Sequence, residues 1–280
     1  MNTDPLYATK IVGFVDIIGF ASMIQKLDRS SAEAKRIHNA LRRIKWLEKL
    51  ARPNPKMPTV QTNLEISVFS DSIAISGTED RLNDIIQTLG WLQADLLLYG
   101  ILTRGGIAKG HLFHKDGIVY GQALIEAYNI ESKVAIYPRI VLAPNLVNDA
   151  KKLRNFMSRN FDGLWHINPF RFHATVPDAE EIAADAGDPR AMYLEQVKKH
   201  IIHGIRDAKA LDHKTKWTWI AIQFNSEARE KSLPDMLETM ASVIGMGQVF
   251  DSNNEFLDNA WGKDTKTNVT GINLSEVEKG

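Results

Sequence analysis

The sequence predicts a mixed α/β (α+β) domain followed by a mainly helical extension. Two features support this fold class: short apolar runs typical of buried strands, and longer segments in which apolar residues recur every three or four positions. Through residue 142 the predicted order of elements is β-α-α-β-β-α-β-β-α-β. We expect one domain over residues 1–145, a helical extension packed on it over 146–250, and a loosely ordered tail over 251–280.

Composition and charge narrow the class of protein. The 280 residues include 34 basic and 34 acidic side chains, and this balance gives no support for a nucleic-acid or membrane partner. The absence of cysteine excludes disulfides and zinc–thiolate sites. No segment reaches the roughly 18 apolar residues of a membrane span, and residues 1–5 lack the pattern of a signal peptide. We therefore expect a cytoplasmic protein.

The first predicted strand ends beside an acidic residue. Residues 11–15 form an apolar run, Asp16 follows it, and Gly19 interrupts the pattern before a helix that begins at Phe20. A carboxylate at the end of a buried strand is costly to desolvate unless a partner offsets its charge. Asp16 therefore either has a partner or caps the helix at Phe20.

Helices and a proline-rich loop separate this strand from the next one. A helix capped at Ser30 or Ser31 runs to about Leu50, with apolar residues every three or four positions. Three prolines between residues 53 and 58 end it, because proline cannot continue a helix. A further helix opens at residues 78–80, after the second and third strands.

The second and third strands meet at another acid, about 55 residues after Asp16. Residues 66–76 predict two short strands joined at Ser70-Asp71, where Asp71 is either a turn residue or a ligand. Two acids on adjacent strand ends can hold a hard divalent cation through oxygen ligands. From the residues alone, both the metal site and the cap-and-turn alternative remain open.

The remaining elements follow from glycine positions and apolar spacing. Residues 102–112 read as a glycine-rich strand, in which glycine marks a close backbone approach. Asp116-Gly117 predicts a hairpin turn, and Gly121 leads into a helix over 123–132. After a strand near 138–142, the spacing predicts helices at about 144–155, 178–185, 190–209 and 214–231, with a strand over 164–172.

Four segments resemble motifs of the class III nucleotidyl cyclases. Residues 14–20, Phe-Val-Asp-Ile-Ile-Gly-Phe, are similar to the first metal-binding motif of that family, and Ser70-Asp71-Ser72 is similar to the second. Residues 104–110, Arg-Gly-Gly-Ile-Ala-Lys-Gly, are similar to its Arg-x-Gly-Ile-x-x-Gly strand. The stretch from Gly121 to Pro138 is similar to the segment around its catalytic helix. The four motifs occur in the order of the family over residues 8–145, so the resemblance implies its ferredoxin-like core.

The resemblance implies cyclisation of a nucleoside triphosphate with two divalent cations, magnesium or manganese. Asp16, Asp71 and the carbonyl of Ile17 would bind the cations, while the ribose 3′-hydroxyl attacks the α-phosphorus and expels pyrophosphate. Backbone amides at Gly19 and Phe20 would hold the triphosphate. In this family a homodimer shares its sites, so that one chain supplies the metal-binding acids and the other supplies the catalytic helix.

The residues expected at the base depart from the purine-specific members of the family. Ser67 stands where those members carry a lysine, and Ile118 stands where they carry an aspartate. Tyr120 or Tyr128 could fill the room that a smaller base leaves. Arg104 either donates to a pyrimidine carbonyl or makes a structural contact. Because such a donor suits the two carbonyls of uracil better than the amino edge of cytosine, we expect UTP to be preferred over CTP.

The catalytic asparagine and arginine of the family can be matched in two registers. A gapless alignment puts Ile125 and Asn129 at these positions. A shift of one turn puts Asn129 and Lys133 there, again at i and i+4 on one helix face. Both registers remain open.

One branch of the family fits these departures. Residues 127–132, residues 137–140 and the Lys216–Trp219 run resemble the bacterial pyrimidine cyclases of the Pycsar anti-phage system. This resemblance implies cyclic UMP or cyclic CMP as a second messenger that activates a separate effector protein. The alternatives are an adenylate or guanylate cyclase with an atypical base pocket, and a non-catalytic binding or dimerisation module with the same fold.

Overall fold

The computed structural model describes residues 7–27, 32–51, 64–172 and 189–230. Through residue 142 it has the predicted order of elements, which confirms the mixed α/β fold class. These elements are β1 (Ala8–Ile17), α1 (Phe20–Gln25), α2 (Ala32–Ala51), β2 (Glu65–Phe69), β3 (Ser72–Gly77), α3 (Leu82–Leu98), β4 (Thr103–Lys115), β5 (Ile118–Gly121), α4 (Gln122–Asn129) and β6 (Ile140–Leu142).

The segment after β6 differs from its prediction. The 3₁₀ helices Pro144–Leu146 and Asp149–Phe156 replace the α-helix predicted over 144–155. Their buried residues, Leu146, Ala150 and Leu153, are three or four positions apart, and this spacing does not distinguish the two kinds of helix. Strands β7 (Met157–Arg159) and β8 (Trp165–Ile167) follow. The strand predicted within 164–172 is therefore shorter, and a 3₁₀ helix begins at Pro169.

Two long helices lie where the sequence predicts them, α5 (Pro189–Asp207) and α6 (Leu211–Glu230). The helix predicted at 178–185 and the tail at 251–280 lie outside the described residues. The division at residues 145 and 250 stays a prediction, although β7 and β8 show that residues beyond 145 extend the sheet.

Within the described part of the chain the sheet has eight strands, in the order β2-β3-β1-β4-β6-β8-β7, with β5 paired to β4. The first strand, β1, lies between β3 and β4 and is antiparallel to both. The pairing of β4 with β6 is parallel, so the sheet is mixed. Helix α3 packs on the face of β1 that carries Gly13, where an added Cβ would lie 2.4 Å from the side chain of Leu89.

The described residues from 194 to 230 belong to a second compact unit. Its described part consists of the rest of α5 and all of α6. The two helices approach closely at Gly204, where an added Cβ would lie 2.2 Å from the indole ring of Trp217. Within the ranges that the structure describes, no helix has both the length and the low polarity needed to cross a bilayer.

A buried ion pair joins α2 to α3. The Nε and Nη2 atoms of Arg43 both donate to Oδ2 of Asp95, at 3.0 and 2.7 Å. Burial raises the pKa of Asp95 to about 6, although the guanidinium of Arg43 opposes this rise. The folded carboxyl therefore binds its proton more tightly than the same carboxyl in the unfolded chain.

Stability should decrease as this carboxyl loses its proton. Between about pH 4 and pH 6 the folded state binds more protons than the unfolded state, so the free energy of unfolding is expected to fall by roughly 1–3 kcal/mol across this window. Urea denaturation at closely spaced pH values measures the fall. The Asp95→Asn variant should lose this part of the pH dependence, and an unchanged profile in that variant would assign the titration to another group.

Candidate functional site

Asp16 lies at the C-terminal end of β1, opposite Ser72 on β3 and Arg104 on β4. Its side chain is half-buried, and Oγ of Ser72 donates to its Oδ1 at 3.2 Å. Helix α1 has Gly19, not Asp16, as its N-terminal cap, and the side-chain hydrogen bond found for Asp16 is the one from Ser72. Asp16 therefore does not cap α1, which was the alternative to a partnered carboxylate.

Asp71 lies in the tight turn between β2 and β3. Phe69 pairs with Ser72, so the turn consists of Ser70 and Asp71, and Ser70 has a φ of 58°. The amide of Ile17 donates to the carbonyl oxygen of Asp71 at 3.0 Å. This hydrogen bond ties the turn to the end of β1 and brings the two acids to the same edge of the sheet.

The carboxylate of Asp71 acts on that of Asp16. Burial raises the pKa of Asp16, and the negative charge of Asp71 raises it further, while the hydroxyl of Ser72 and the charge of Arg104 lower it. Nowhere in the described ranges do three or more His, Asp or Glu side chains cluster to hold a metal. A cation at this edge would therefore depend on the two carboxylates, backbone oxygens and water.

The turn after β1 changes the direction of the chain. Gly19 has a φ of 74°, in the left-handed region that favours glycine, and its carbonyl accepts from the amide of Met23 at 3.0 Å. Phe20 begins α1, which has only six residues. Both predicted triphosphate-binding residues therefore lie immediately after the strand that carries Asp16.

Arg104 forms an ion pair with Glu131, with 2.5 Å between Nε and Oε1. Glu131 is only 3% exposed, and burial raises the pKa of its carboxyl, which Arg104 opposes. The structural contact, one of the two roles left open for Arg104, is thus present, while a role with the base stays a prediction. Sequence reasoning assigned no role to Glu131, although its position four residues after Ala127, on the same helix face, was a usable signal.

Helix α4 lies directly on β4. An added Cβ at Gly106 would lie 2.4 Å from the carbonyl oxygen of Ala127, so only glycine permits this approach. Ala123, Ala127 and Glu131 are the residues that are buried on this side. Asn129 follows Ala127 by two positions, so its side chain leaves the opposite side of the helix and is half-exposed.

The two candidate registers fall on different kinds of helix. Ile125 and Asn129 lie within α4, while Lys133 lies in a π-helical turn, Ile130–Val134, that follows it. The π-helical turn uses i to i+5 hydrogen bonds, so the i, i+4 relation assumed for Asn129 and Lys133 is not that of a continuous α-helix. Lys133 is exposed.

Of the residues expected at the base, Ser67 lies two strands from Asp16, and Ile118 and Tyr120 lie far from it along the sheet of the same chain. Ser67 is buried and hydrogen-bonded to His114 at 2.8 Å. Ile118 and Tyr120 lie on β5, with 59% and 52% exposure. Because β5 pairs with residues 112–115 of β4, even its nearer end, at Gly121, lies about 26 Å along that strand from Arg104, the partner of Asp16.

The tyrosines occupy different surroundings. The ring of Tyr120 stacks on Phe113 and on Tyr7, with centroid separations of 5.0 and 6.1 Å. The ring of Tyr128 contacts Phe14 edge to face at 5.8 Å, two residues from Asp16 on β1. Of the two, only Tyr128 lies near the carboxylates of its own chain.

No protein-family model matches the chain, and no curated protein matches it. Solved structures show weak similarity. A bacterial light-regulated adenylyl cyclase has 14% identity and a TM-score of 0.41, over 70% of this chain and 59% of that one. The catalytic core of a rhodopsin-guanylyl cyclase with converted specificity, in complex with ATPαS, has 15% identity and a TM-score of 0.38. This similarity covers 57% of this chain and 96% of that one. An adenylate/guanylate cyclase/hydrolase from Silicibacter pomeroyi has 15% identity and a TM-score of 0.37, over 57% of this chain and 96% of that one.

The chain spans 59% of the length of the first of these proteins. Similarities with TM-scores below 0.5 do not show what this chain binds or which reaction it catalyses. The candidate site therefore rests on the geometry around Asp16 and Asp71, and on the motifs of the sequence itself.

Proposed function

We propose that the chain is a nucleotidyl cyclase, which converts a nucleoside triphosphate into its 3′,5′-cyclic monophosphate and pyrophosphate. The observation that carries the proposal is the convergence of Asp16 and Asp71 at one edge of the sheet, joined by the hydrogen bond from Ile17 to the turn. The resemblance of residues 8–145 to the class III motifs supports it. We also propose that the protein is cytoplasmic, because the proposed substrates, nucleoside triphosphates, are present there.

The donor set fits divalent cations. Asp16 and Asp71 are hard oxygen donors. Burial and the charge of Asp71 raise the pKa of Asp16, and a nearby cation would offset both effects on its carboxylate. Asp16, Asp71 and the carbonyl of Ile17 would hold magnesium or manganese. When bound, such cations lower the pKa of the attacking 3′-hydroxyl and neutralise charge on the phosphates.

The other residues at this edge would orient the reactants. The hydroxyl of Ser72 fixes one carboxylate oxygen of Asp16, which leaves the second oxygen for a ligand. Backbone amides at Gly19 and Phe20 would bind the triphosphate. Asn129 or Lys133, supplied by the second subunit of a homodimer, would stabilise the charge that develops on the α-phosphate.

The proposed substrate is a pyrimidine nucleoside triphosphate, because Ser67 and Ile118 offer neither of the charged groups that would read adenine. The preference for UTP depended on Arg104, which is already paired with Glu131. UTP and CTP are therefore proposed equally. On the resemblance to the Pycsar cyclases, the cyclic product would activate a separate effector protein in anti-phage defence.

Incubation with each of the four ribonucleoside triphosphates and manganese, followed by chromatography, tests both levels of the proposal. We expect cyclic UMP or cyclic CMP as the main product, with ATP and GTP turned over about tenfold more slowly or less. Equal or faster turnover of ATP would contradict the pyrimidine assignment alone. A purified, folded protein that forms no cyclic product from any of the four would favour the non-catalytic module.

A further inference from the structure

His114, on β4, is buried and hydrogen-bonded to side chains of two other strands, β2 and β3. Its Nε2 is hydrogen-bonded to Oγ of Ser67 on β2 at 2.8 Å, and its Nδ1 is hydrogen-bonded to Oγ of Ser76 on β3 at 2.8 Å. The ring is 2% exposed, and both serines are buried as well. Nothing in the motifs of the sequence assigns a role to this histidine.

The imidazole is neutral and held in one orientation. Burial lowers the pKa of His114 to about 4, and the positive charge of Lys10 lowers it in the same direction. In a neutral ring one nitrogen donates and the other accepts, and a serine hydroxyl can supply either complement. With both nitrogens bonded, the ring cannot turn without losing a hydrogen bond in a buried place.

The topology explains how His114 reaches β2. In the sheet, β3 and β1 separate β2 from β4. The pairing of β1 with β4 begins at Leu112, so the residues of β4 beyond it have no partner on β1, and the hairpin formed with β5 can cross toward β2. By strand alternation, Ser67 and Ser76 lie on the same sheet face as Asp16.

His114 thereby links the two positions expected to border the base. It is hydrogen-bonded to Ser67, and it pairs with Val119, the neighbour of Ile118 on β5. The side chain of His114 therefore connects the hairpin that carries Ile118 to the strand that carries Ser67.

We propose that His114 is a specificity-determining residue, whose ring occupies the space beside Ser67 and limits the base to a single ring. The inference rests on the proposed function, because it takes Ser67 and Ile118 as the borders of the base. A purine differs from a pyrimidine by one fused imidazole ring. The side chain of His114 places a ring of that size next to Ser67. With Ser67 at the border of the base, this ring would occupy the space that the second ring of a purine needs.

The test compares nucleotides in a variant that lacks this ring. In His114→Ala, kcat/KM for ATP divided by kcat/KM for UTP or CTP is expected to rise about tenfold or more, because the cavity left by the imidazole admits the larger base. Free imidazole at millimolar concentration should re-enter the cavity and lower this ratio again. Binding of ATP and UTP to the same variant, measured by calorimetry, should shift in the same direction.

His166→Ala is the matched control. His166 is also buried and neutral, with its pKa lowered to about 4 chiefly by burial, but it lies on β8 and is bonded to the carbonyl of Ile167. Its loss should lower the melting temperature without changing the ratio between nucleotides. His114→Asn keeps a hydrogen-bonding group in a smaller volume, so it should give a ratio of ATP to pyrimidine turnover between those of the wild type and His114→Ala. This variant also provides the test if the alanine variant does not fold.

The outcomes separate the inference from the proposed function. If His114→Ala and His114→Asn lower turnover of all nucleotides equally, His114 only anchors the hairpin, and the inference is wrong while the cyclase function stands. A folded wild-type protein that neither binds nor converts any nucleotide overturns both. A ratio that rises as much in His166→Ala as in His114→Ala would also overturn the inference, because the effect would then be one of general destabilisation.

Discussion

Asp16→Asn and Asp71→Asn are each expected to reduce cyclase turnover by about a hundredfold or more while leaving the protein folded. An amide keeps the shape of the carboxyl group but removes the charge that would hold a divalent cation. Because both carboxylates meet at the same edge of the sheet, the loss of either should be enough. Product formation with manganese measures turnover, and electron paramagnetic resonance measures binding of manganese independently of catalysis.

The same substitutions should not destabilise the metal-free protein. Burial and the charge of Asp71 raise the pKa of Asp16, so its ionised form is not favoured by its surroundings. A neutral amide removes this repulsion and can still accept from Ser72. We expect a melting temperature equal to or slightly above that of the wild type.

Asp116→Asn is the control for these variants. Asp116 is also an aspartate in a hairpin turn, and its φ of 52° is one that asparagine adopts readily. This variant should keep full activity and manganese binding. Substantial turnover by either Asp16→Asn or Asp71→Asn, in soluble and folded form, would contradict the assignment of the metal ligands.

Mixing Asp71→Asn subunits with Asn129→Ala subunits is expected to restore part of the activity that each variant lacks alone. Asn129 leaves α4 on the side away from Ala127, which lies on β4, so it faces away from the sheet that carries Asp71. A homodimer with two-fold symmetry would bring this side of α4 to the partner subunit. Random exchange at equal concentrations leaves about one quarter of the sites intact, and activity should recover to about that fraction.

Mixing Asp71→Asn with Asp16→Asn is the control, because both acids come from the same chain and every hybrid site keeps one defect. This mixture should recover nothing. An inactive Asn129→Ala variant that also recovers nothing on mixing would show that subunits do not share sites. An active Asn129→Ala variant would instead remove Asn129 from the mechanism and would contradict both registers. If Asn129→Ala is inactive alone, a loss of activity in Ile125→Ala or in Lys133→Ala identifies the register.

The fold could be predicted from the sequence because most of its helices and strands have a local pattern of residue types that indicates them. Residues 11–15 are apolar at every position, as expected of a strand covered on both faces, and Asp116-Gly117 is a strong hairpin signal. The same kind of reasoning failed over residues 144–155, where the buried positions suit a 3₁₀ helix as well as an α-helix. It also could not show the π-helical turn after Asn129, because the step from i+4 to i+5 bonding leaves no local pattern of residue types.

The sequence by itself determined which residues carry the acids, Asp16 and Asp71, and that each ends or begins an apolar strand. Only the tertiary structure decided that these acids share one edge of the sheet, since their approach depends on the register of β1 with β3 and on the hydrogen bond from Ile17 to the turn. The partners of Arg104 and Ser67 are likewise tertiary. Glu131 and His114 reach them from distant parts of the chain, and a contact across the fold is set by how elements pack, which the local spacing of residues does not encode.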